Sequence, residues 1–301
     1  MPITEMLSRN ARMFGDDISL IERDPVQGVR REISWKNFDD MANSFANALL
    51  SQGVQKGDKV ALLMMNCLEW LPAYFGVLKT GALVVPLNFR YTAEEIRKCL
   101  DTAEACALVF GPEFIDRVEA IREQLPNLKQ YIFVGENCPA GAKSYAQLIS
   151  EFSSHDPGIE ITDTDDAALY FTSGTTGTPK AILHAHSNLV SACITENRHH
   201  LQTREDNFLC IPPLYHTGAK MHWFGSLIVG SRAVLLRGVK PQWILEAVSE
   251  EKVSIVWLLV PWAQDILDAI ESGEIHMKDY QLKQWRLMHI GAQPVPPSLI
   301  Q

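Results

Sequence analysis

The chain has 301 residues, 47% apolar and 21% charged, the make-up of an ordinary globular protein with room for one large or two medium α/β domains. A formal charge of −9 without any long basic run excludes a nucleic-acid binder, which needs clustered lysine and arginine against phosphate. No apolar run approaches the roughly eighteen residues that span a bilayer, and the first residues, Met1 to Met6, lack the basic-then-apolar order of a signal sequence.

Taken in chain order, Phe38, Met41, Phe45, Ala48 and Leu49 form a helical stripe over Ser34–Gln52, with Gly53 placed to cap it. Lys59–Met65 is a continuous apolar run, expected as a buried strand. A helix over about Leu68–Thr80 stops at Gly81, and a strand follows at Leu83–Leu87. Thr92 and Glu95 make a capping box for the next helix. Strands at Ala107–Phe110 and Gln130–Val134 flank a helix near Glu113–Gln124.

After an acidic stretch, Ser150–Asp166, the alternation resumes. Strands are predicted at Ala168–Phe171, Ala181–Ala185, Asn207–Ile211, Ala233–Leu236, Ser254–Leu259 and Arg286–Ile290. Helices are predicted near Ser187–His200, Ala219–Val229, Pro241–Glu251 and Trp262–Glu271. Strand and helix alternating in this way build a mostly parallel sheet covered on both faces. The expected architecture is therefore α/β, with two packed βα-layered subdomains, residues 1–160 and residues 161–301. The six cysteines are scattered, with no Cys-x-x-Cys pair, and read as small core residues in a reducing compartment, the cytoplasm.

The richest local pattern is Tyr170 to Lys180. An apolar run, Ala167–Phe171, leads into Thr172, Ser173, Gly174, Thr175, Thr176, Gly177, Thr178, Pro179 and Lys180. Glycine backbones can approach an anion closely, the hydroxyls add donors, and the lysine adds a compact charge. A plain Gly/Thr turn between strands needs only two to five residues, fewer than this string holds. The spacing is not that of a Walker loop, because two residues separate Gly174 from Gly177 and Ala181 follows the lysine. The pattern predicts a strand, a phosphate-holding loop and a second strand.

These residues closely match the signature of the adenylate-forming, AMP-binding superfamily, which the chain resembles from about Ser34 to its last residue. The usual glycine after the lysine is Ala181 here. Leu78–Asn88 is similar to an early structural signature of that family, Pro213–Gly218 to its acyl-site segment, and Ile290–Pro294 to the start of its adenine-binding segment. The resemblance implies the amino-terminal portion of an acyl-CoA synthetase or acid–CoA ligase. Such an enzyme converts a carboxylic acid and ATP, with Mg²⁺, to an acyl-adenylate and then to the CoA thioester. It implies that Thr172–Lys180 holds the β- and γ-phosphates, with Thr175 or Thr176 beside Mg²⁺, and that Gly291, Ala292, Gln293 and Pro294 face the adenine. His216 would then stand beside the acyl carboxylate as the catalytic residue. No carboxylate lies between Pro212 and Gly230 to pair an amino-acid ammonium, so a fatty or aryl acid fits better.

The resemblance also implies that later parts of the family's enzymes, including a second metal ligand and a catalytic lysine, follow beyond Gln301. The chain is expected to be inactive alone and to self-associate through its last strand, near Trp285–Ile290. The alternative reading is a non-catalytic nucleotide- or partner-binding module. Three other features have ordinary expectations. His184 and His186 at a helix start suit structural hydrogen bonds. His199 and His200 favour the negative end of a helix, with no carboxylate or cysteine at ligand spacing to make a metal site. Met221, His222 and Trp223 fit either core packing or the wall of an acyl tunnel.

Overall fold

The computed structural model describes residues 1–172 and 180–299. The chain opens with α1 (Ile3–Met13) and the strands β1 (Ile18–Asp24) and β2 (Val29–Ser34). There follow α2 (Trp35–Ser51), β3 (Lys59–Leu63), α3 (Trp70–Lys79), β4 (Leu83–Pro86), α4 (Ala93–Ala103) and β5 (Ala107–Phe110). Then come α5 (Ile115–Glu119), β6 (Gln130–Phe133), β7 (Lys143–Ser144) and α6 (Tyr145–Glu151). Beyond the acidic stretch lie β8 (Asp166–Thr172), β9 (Lys180–Ala185), α7 (His186–His200), β10 (Asn207–Cys210) and α8 (Thr217–Val229). The described chain closes with β11 (Arg232–Leu236), α9 (Pro241–Glu250), β12 (Ile255–Leu259), α10 (Val260–Glu271) and β13 (Leu287–Gly291).

The local rules account for most boundaries. Ser34 caps α2 by accepting from Asn37 N–H, and Thr92 and Glu95 exchange both bonds of a capping box at α4. The helix expected over Glu113–Gln124 is instead broken into two 3₁₀ turns around the short α5. Within that break, at the start of the second 3₁₀ turn, Arg122 lies 4.0 Å over the Tyr131 ring and donates to the Gly141 carbonyl.

Two sheets result. One runs β7-β6-β5-β3-β4-β8-β9, parallel except for the β8–β9 pair; the other runs β13-β12-β10-β11-β1-β2, parallel except for β1–β2. Each sheet draws strands from both sides of the acidic stretch: β8 and β9 join the sheet of β3–β7, while the amino-terminal β1 and β2 join the sheet of β10–β13. The architecture is α/β with two mostly parallel sheets.

Alternation along the strands sets the layers. Val60 and Leu62 of β3 face a central core, and Ala61 and Leu63 face the other side. Likewise Phe208 and Cys210 of β10 enter the central core, while Leu209 joins the outer face. Helices α2, α3 and α8 fill the space between the sheets with Phe38, Phe75 and Trp223 in edge and tilted contact. The α2–α3 approach depends on Gly76, where a methyl would lie 2.8 Å from the Phe45 ring and 3.0 Å from the Ala42 carbonyl oxygen. Helix α4 covers the outer face of the first sheet; α9 and α10 cover that of the second. Among the described residues no helix is long and apolar enough to cross a membrane.

Candidate functional site

In parallel α/β sheets, ligands gather at the carboxyl ends of strands, where loops are free to shape a pocket. Here the two sheets bring such ends together. Asn66, which follows β3, donates Nδ2–H to the Pro212 carbonyl at 3.0 Å and accepts from Leu214 N–H at 2.8 Å. A buried amide side chain thus satisfies a segment that leaves β10 of the other sheet, with both partners withdrawn from water. Tyr215 then packs edge-on against Phe89, which lies just past β4, with ring centroids 5.3 Å apart.

His216 comes next, exposed, as the amino-terminal cap of α8. Its Nδ1 accepts a long bond of 3.4 Å from Gly218 N–H. When neutral, a ring whose Nδ1 accepts carries its proton on Nε2. A donor then stands at the positive end of a helix, an arrangement that favours an anion.

The opposite wall is Trp257 of β12. A methyl at Gly218 would lie 3.2 Å from the indole, and one at Gly291 would lie 3.6 Å from its Nε1. Trp257 therefore links the start of α8 to the end of β13, bringing the His216 turn and the Gly291 turn to one place. Ala292 takes a left-handed conformation, φ 68°, unusual for a residue with a Cβ, and turns the chain sharply after the strand. Ala292, Gln293 and Pro294 are exposed there.

Thr172 ends β8 and is paired in register with Lys180, which starts β9; both are exposed. Because β8 runs parallel to β4, Thr172 lies at the same carboxyl edge as Phe89. Ser173, Gly174, Thr175, Thr176, Gly177, Thr178 and Pro179, and with them the expected Mg²⁺ position, lie outside the described residues.

Two features were not apparent from the sequence, a cluster of four side chains behind this wall and a buried lysine. Glu196 stands one helical turn before His200, so a carboxylate does occur at ligand spacing, contrary to expectation. Helix α8 and β13 add His222 and His289, and the four groups offer ligand atoms within 4.8 Å of one another. His222 stacks on Trp257 at 4.4 Å between ring centroids. Burial pushes the His200 and His222 imidazoles down to about 4, lowers that of His289, and raises the Glu196 carboxyl. Lys220, one turn past His216, is wholly buried with no hydrogen-bond partner among the described residues, its nitrogen 3.9 Å from the Tyr170 ring centroid and 4.6 Å from that of Tyr74. Burial drives its pKa well below the usual lysine range. His186 is also buried; its backbone N–H donates to the Asp165 carbonyl at 3.0 Å, but neither ring nitrogen has a partner among the described residues, so the side chain makes none of the hydrogen bonds expected of it.

The profile of the family described as AMP-binding enzyme matches residues 7–301. YdaB of Bacillus subtilis, which carries an acyl–CoA ligase name, is 31% identical over 282 residues, 93% of this chain and 54% of that protein. Crotonobetaine/carnitine–CoA ligase of Salmonella agona is 31% identical over 220 residues, 71% of this chain and 42% of that protein. The chain thus spans about half the length of the curated relatives it matches. The inhibitor-bound N-terminal domain of FACL13 from Mycobacterium tuberculosis superposes with a TM-score of 0.89 at 25% identity, over 99% of this chain and 72% of that one.

Proposed function

The chain belongs to the AMP-binding enzyme family, and from that premise we propose that it serves the ATP-dependent activation of a carboxylic acid to its CoA thioester. In the first half-reaction an acid oxygen attacks the α-phosphorus of ATP, the bond to pyrophosphate breaks, and an acyl-adenylate forms. In the second, the CoA sulfur attacks the acyl carbon, its proton is lost, and AMP leaves with the electrons of the C–O bond.

Two anions must meet in the first step, so donors fixed in advance do most of the work. His216, at the amino-terminal end of α8, is the residue that would hold the acid carboxylate. The turn Gly291–Pro294 would face the adenine, and Thr172 through Lys180 would take the β- and γ-phosphates. Thr175 and Thr176 are the candidates for the Mg²⁺ side, where a bound ion would offset the phosphate charge. What supports this reading is that Gly218 and Gly291 both pack against Trp257, which brings the His216 turn and the Gly291 turn together although they are far apart in sequence. The absence of a carboxylate in the Pro212–Gly230 segment favours a fatty or aryl acid over an amino acid.

Binding of a non-hydrolysable acyl-adenylate mimic, an adenosine acyl-sulfamate, tests the reading. One-to-one binding by this chain, weakened by His216→Ala and displaced by excess ATP plus free acid, is expected. A chain that ignores such mimics across aryl and alkyl series would not support acid activation.

A further inference from the structure

We infer that Glu196, His200, His222 and His289 form a tetrahedral divalent transition-metal site, suited to Zn²⁺, that fastens α7, α8 and β13 together behind the candidate active-site wall. Four protein ligands and no open position mark the closed, structural kind of zinc site.

The geometry comes first. His200 Nε2 lies 3.0 Å from His289 Nδ1, and His222 Nε2 lies 3.1 Å from the same atom. Glu196 Oε2 lies 3.8 Å from His200 Nε2 and 3.7 Å from His222 Nε2. A tetrahedron with metal–ligand arms of 2.0–2.1 Å has edges of about 3.3 Å, and the four separations straddle that length. Glu196 and His200 sit at positions i and i+4 of one helix, which puts both on the same face.

Proton bookkeeping comes second. His222 Nδ1 is 2.6 Å from the Gly218 carbonyl oxygen, which can only accept, so the Nδ1 proton is spent there and a neutral ring turns the Nε2 lone pair inward. Metal-bound histidines are oriented in this way by a carbonyl on the far nitrogen. His289 Nδ1 has one proton at most to offer two neighbouring nitrogens. Whichever takes it, Glu196 Oε2 and His200 Nδ1 remain buried without a hydrogen-bond partner among the described residues. An unpaired buried carboxylate oxygen facing three imidazole nitrogens is an expensive arrangement for protein atoms alone. A divalent cation among them pairs the carboxylate and uses the inward lone pairs. Three nitrogens and one oxygen in tetrahedral array suit Zn²⁺ better than the octahedral all-oxygen preference of Mg²⁺.

The test is metal content and affinity of the whole chain. The protein is stripped with a chelator, dialysed against Zn²⁺ and assayed for zinc per chain; Co²⁺ is then substituted and its visible absorption recorded. One zinc per chain is expected, with the strong d–d bands of tetrahedral cobalt. His222→Ala, His289→Ala and Glu196→Gln should each weaken zinc binding on the order of 100-fold, while the exposed neighbour His199→Ala should leave it unchanged. Metal-free melting curves separate folding defects from ligand loss, and the near-isosteric Glu196→Gln decides the matter where an alanine variant fails to fold. No stoichiometric zinc in the wild-type chain, or wild-type affinity in Glu196→Gln, overturns the site and leaves a buried histidine network in its place.

Discussion

At Lys220 a charge and its burial are in direct conflict. Three ring faces surround the nitrogen, and an ammonium on desolvated aromatic faces gains about 2 kcal/mol. Removing that ammonium from water costs several kcal/mol, more than the rings return, so burial lowers the lysine pKa and favours the uncharged amine below the ordinary lysine range. The linkage then has a definite sign. With the folded pKa depressed, the unfolded chain binds one more proton over the window between the two pKa values. Stability contributed by this residue therefore rises with pH up to the ordinary lysine value of about 10.5. Lys220→Met, similar in volume and without a charge to lose, is expected to stabilise the fold at pH 7 by about 1–4 kcal/mol. Its advantage should shrink as pH climbs toward 10, as followed by urea melts; an advantage constant with pH would mean that the wild-type amine stays protonated. At the other end of the site, exposed Lys180 leads out of the proposed phosphate loop. Lys180→Ala should weaken ATP binding roughly ten- to hundredfold, the value of one charge-assisted bond, and leave AMP binding nearly unchanged. Isothermal titration with both nucleotides checks this, and equal loss of the two would move the lysine away from the β- and γ-phosphates.

Elements built on one local rule were legible in the sequence, and those that depend on distant partners were not. The α2 stripe, the α4 capping box and the apolar β3 and β5 runs each carry their signal within a few residues. Strands β1 and β2 do not, because charged side chains interrupt their alternation. The explanation is an ion cluster at the sheet edge: buried Glu22 pairs with the exposed Arg31 across the hairpin, and Arg31 reaches on to Glu69 at 2.7 Å before α3. Of the site, the turn at His216 and the strand end at Gly291 could be found from motifs. The side chains that hold them could not, since Asn66 acts on a segment 146 and 148 residues away. Likewise His289 meets His222 and His200 across 67 and 89 residues. The Asn66 clamp makes its own prediction. Asn66→Ala leaves the Leu214 N–H buried without its partner and the Pro212 carbonyl with only the Cys210 thiol at 3.8 Å, a loss of about 1–3 kcal/mol. It should also loosen the turn that presents His216. A chemical denaturation midpoint unchanged from wild type would show that water takes over both bonds.

For the molecule as a whole, sequence order was a poor guide to which strands share a sheet, because the β1–β2 and β8–β9 hairpins each join the sheet built mainly from the other half of the chain and no local pattern encodes that exchange. The exchange leaves four edge strands, β2, β7, β9 and β13, and they are protected unequally. Strand β2 exposes Arg30, Arg31 and Glu32, charges that discourage pairing with another chain, and β7 is only two residues long. Strand β9 is less protected: its one charge, the exposed Lys180, stands at its start, while Ile182 is 43% exposed and Leu183 51% exposed on an edge that pairs with no further strand among the described residues. Strand β13, with Met288 exposed at 43%, is only slightly better guarded by His289, whose ring turns inward to His200 and His222. An open, apolar edge is a template for a second chain. The isolated chain is therefore expected to associate as its concentration rises, and Leu183→Lys, which puts a charge in the middle of β9, is expected to reduce that association without lowering the melting temperature. Light scattering coupled to size exclusion over a concentration series measures both. Association that persists undiminished in Leu183→Lys but falls in Met288→Lys would shift the contact to β13, and a wild-type chain that stays monomeric throughout would show that neither edge is open enough to pair.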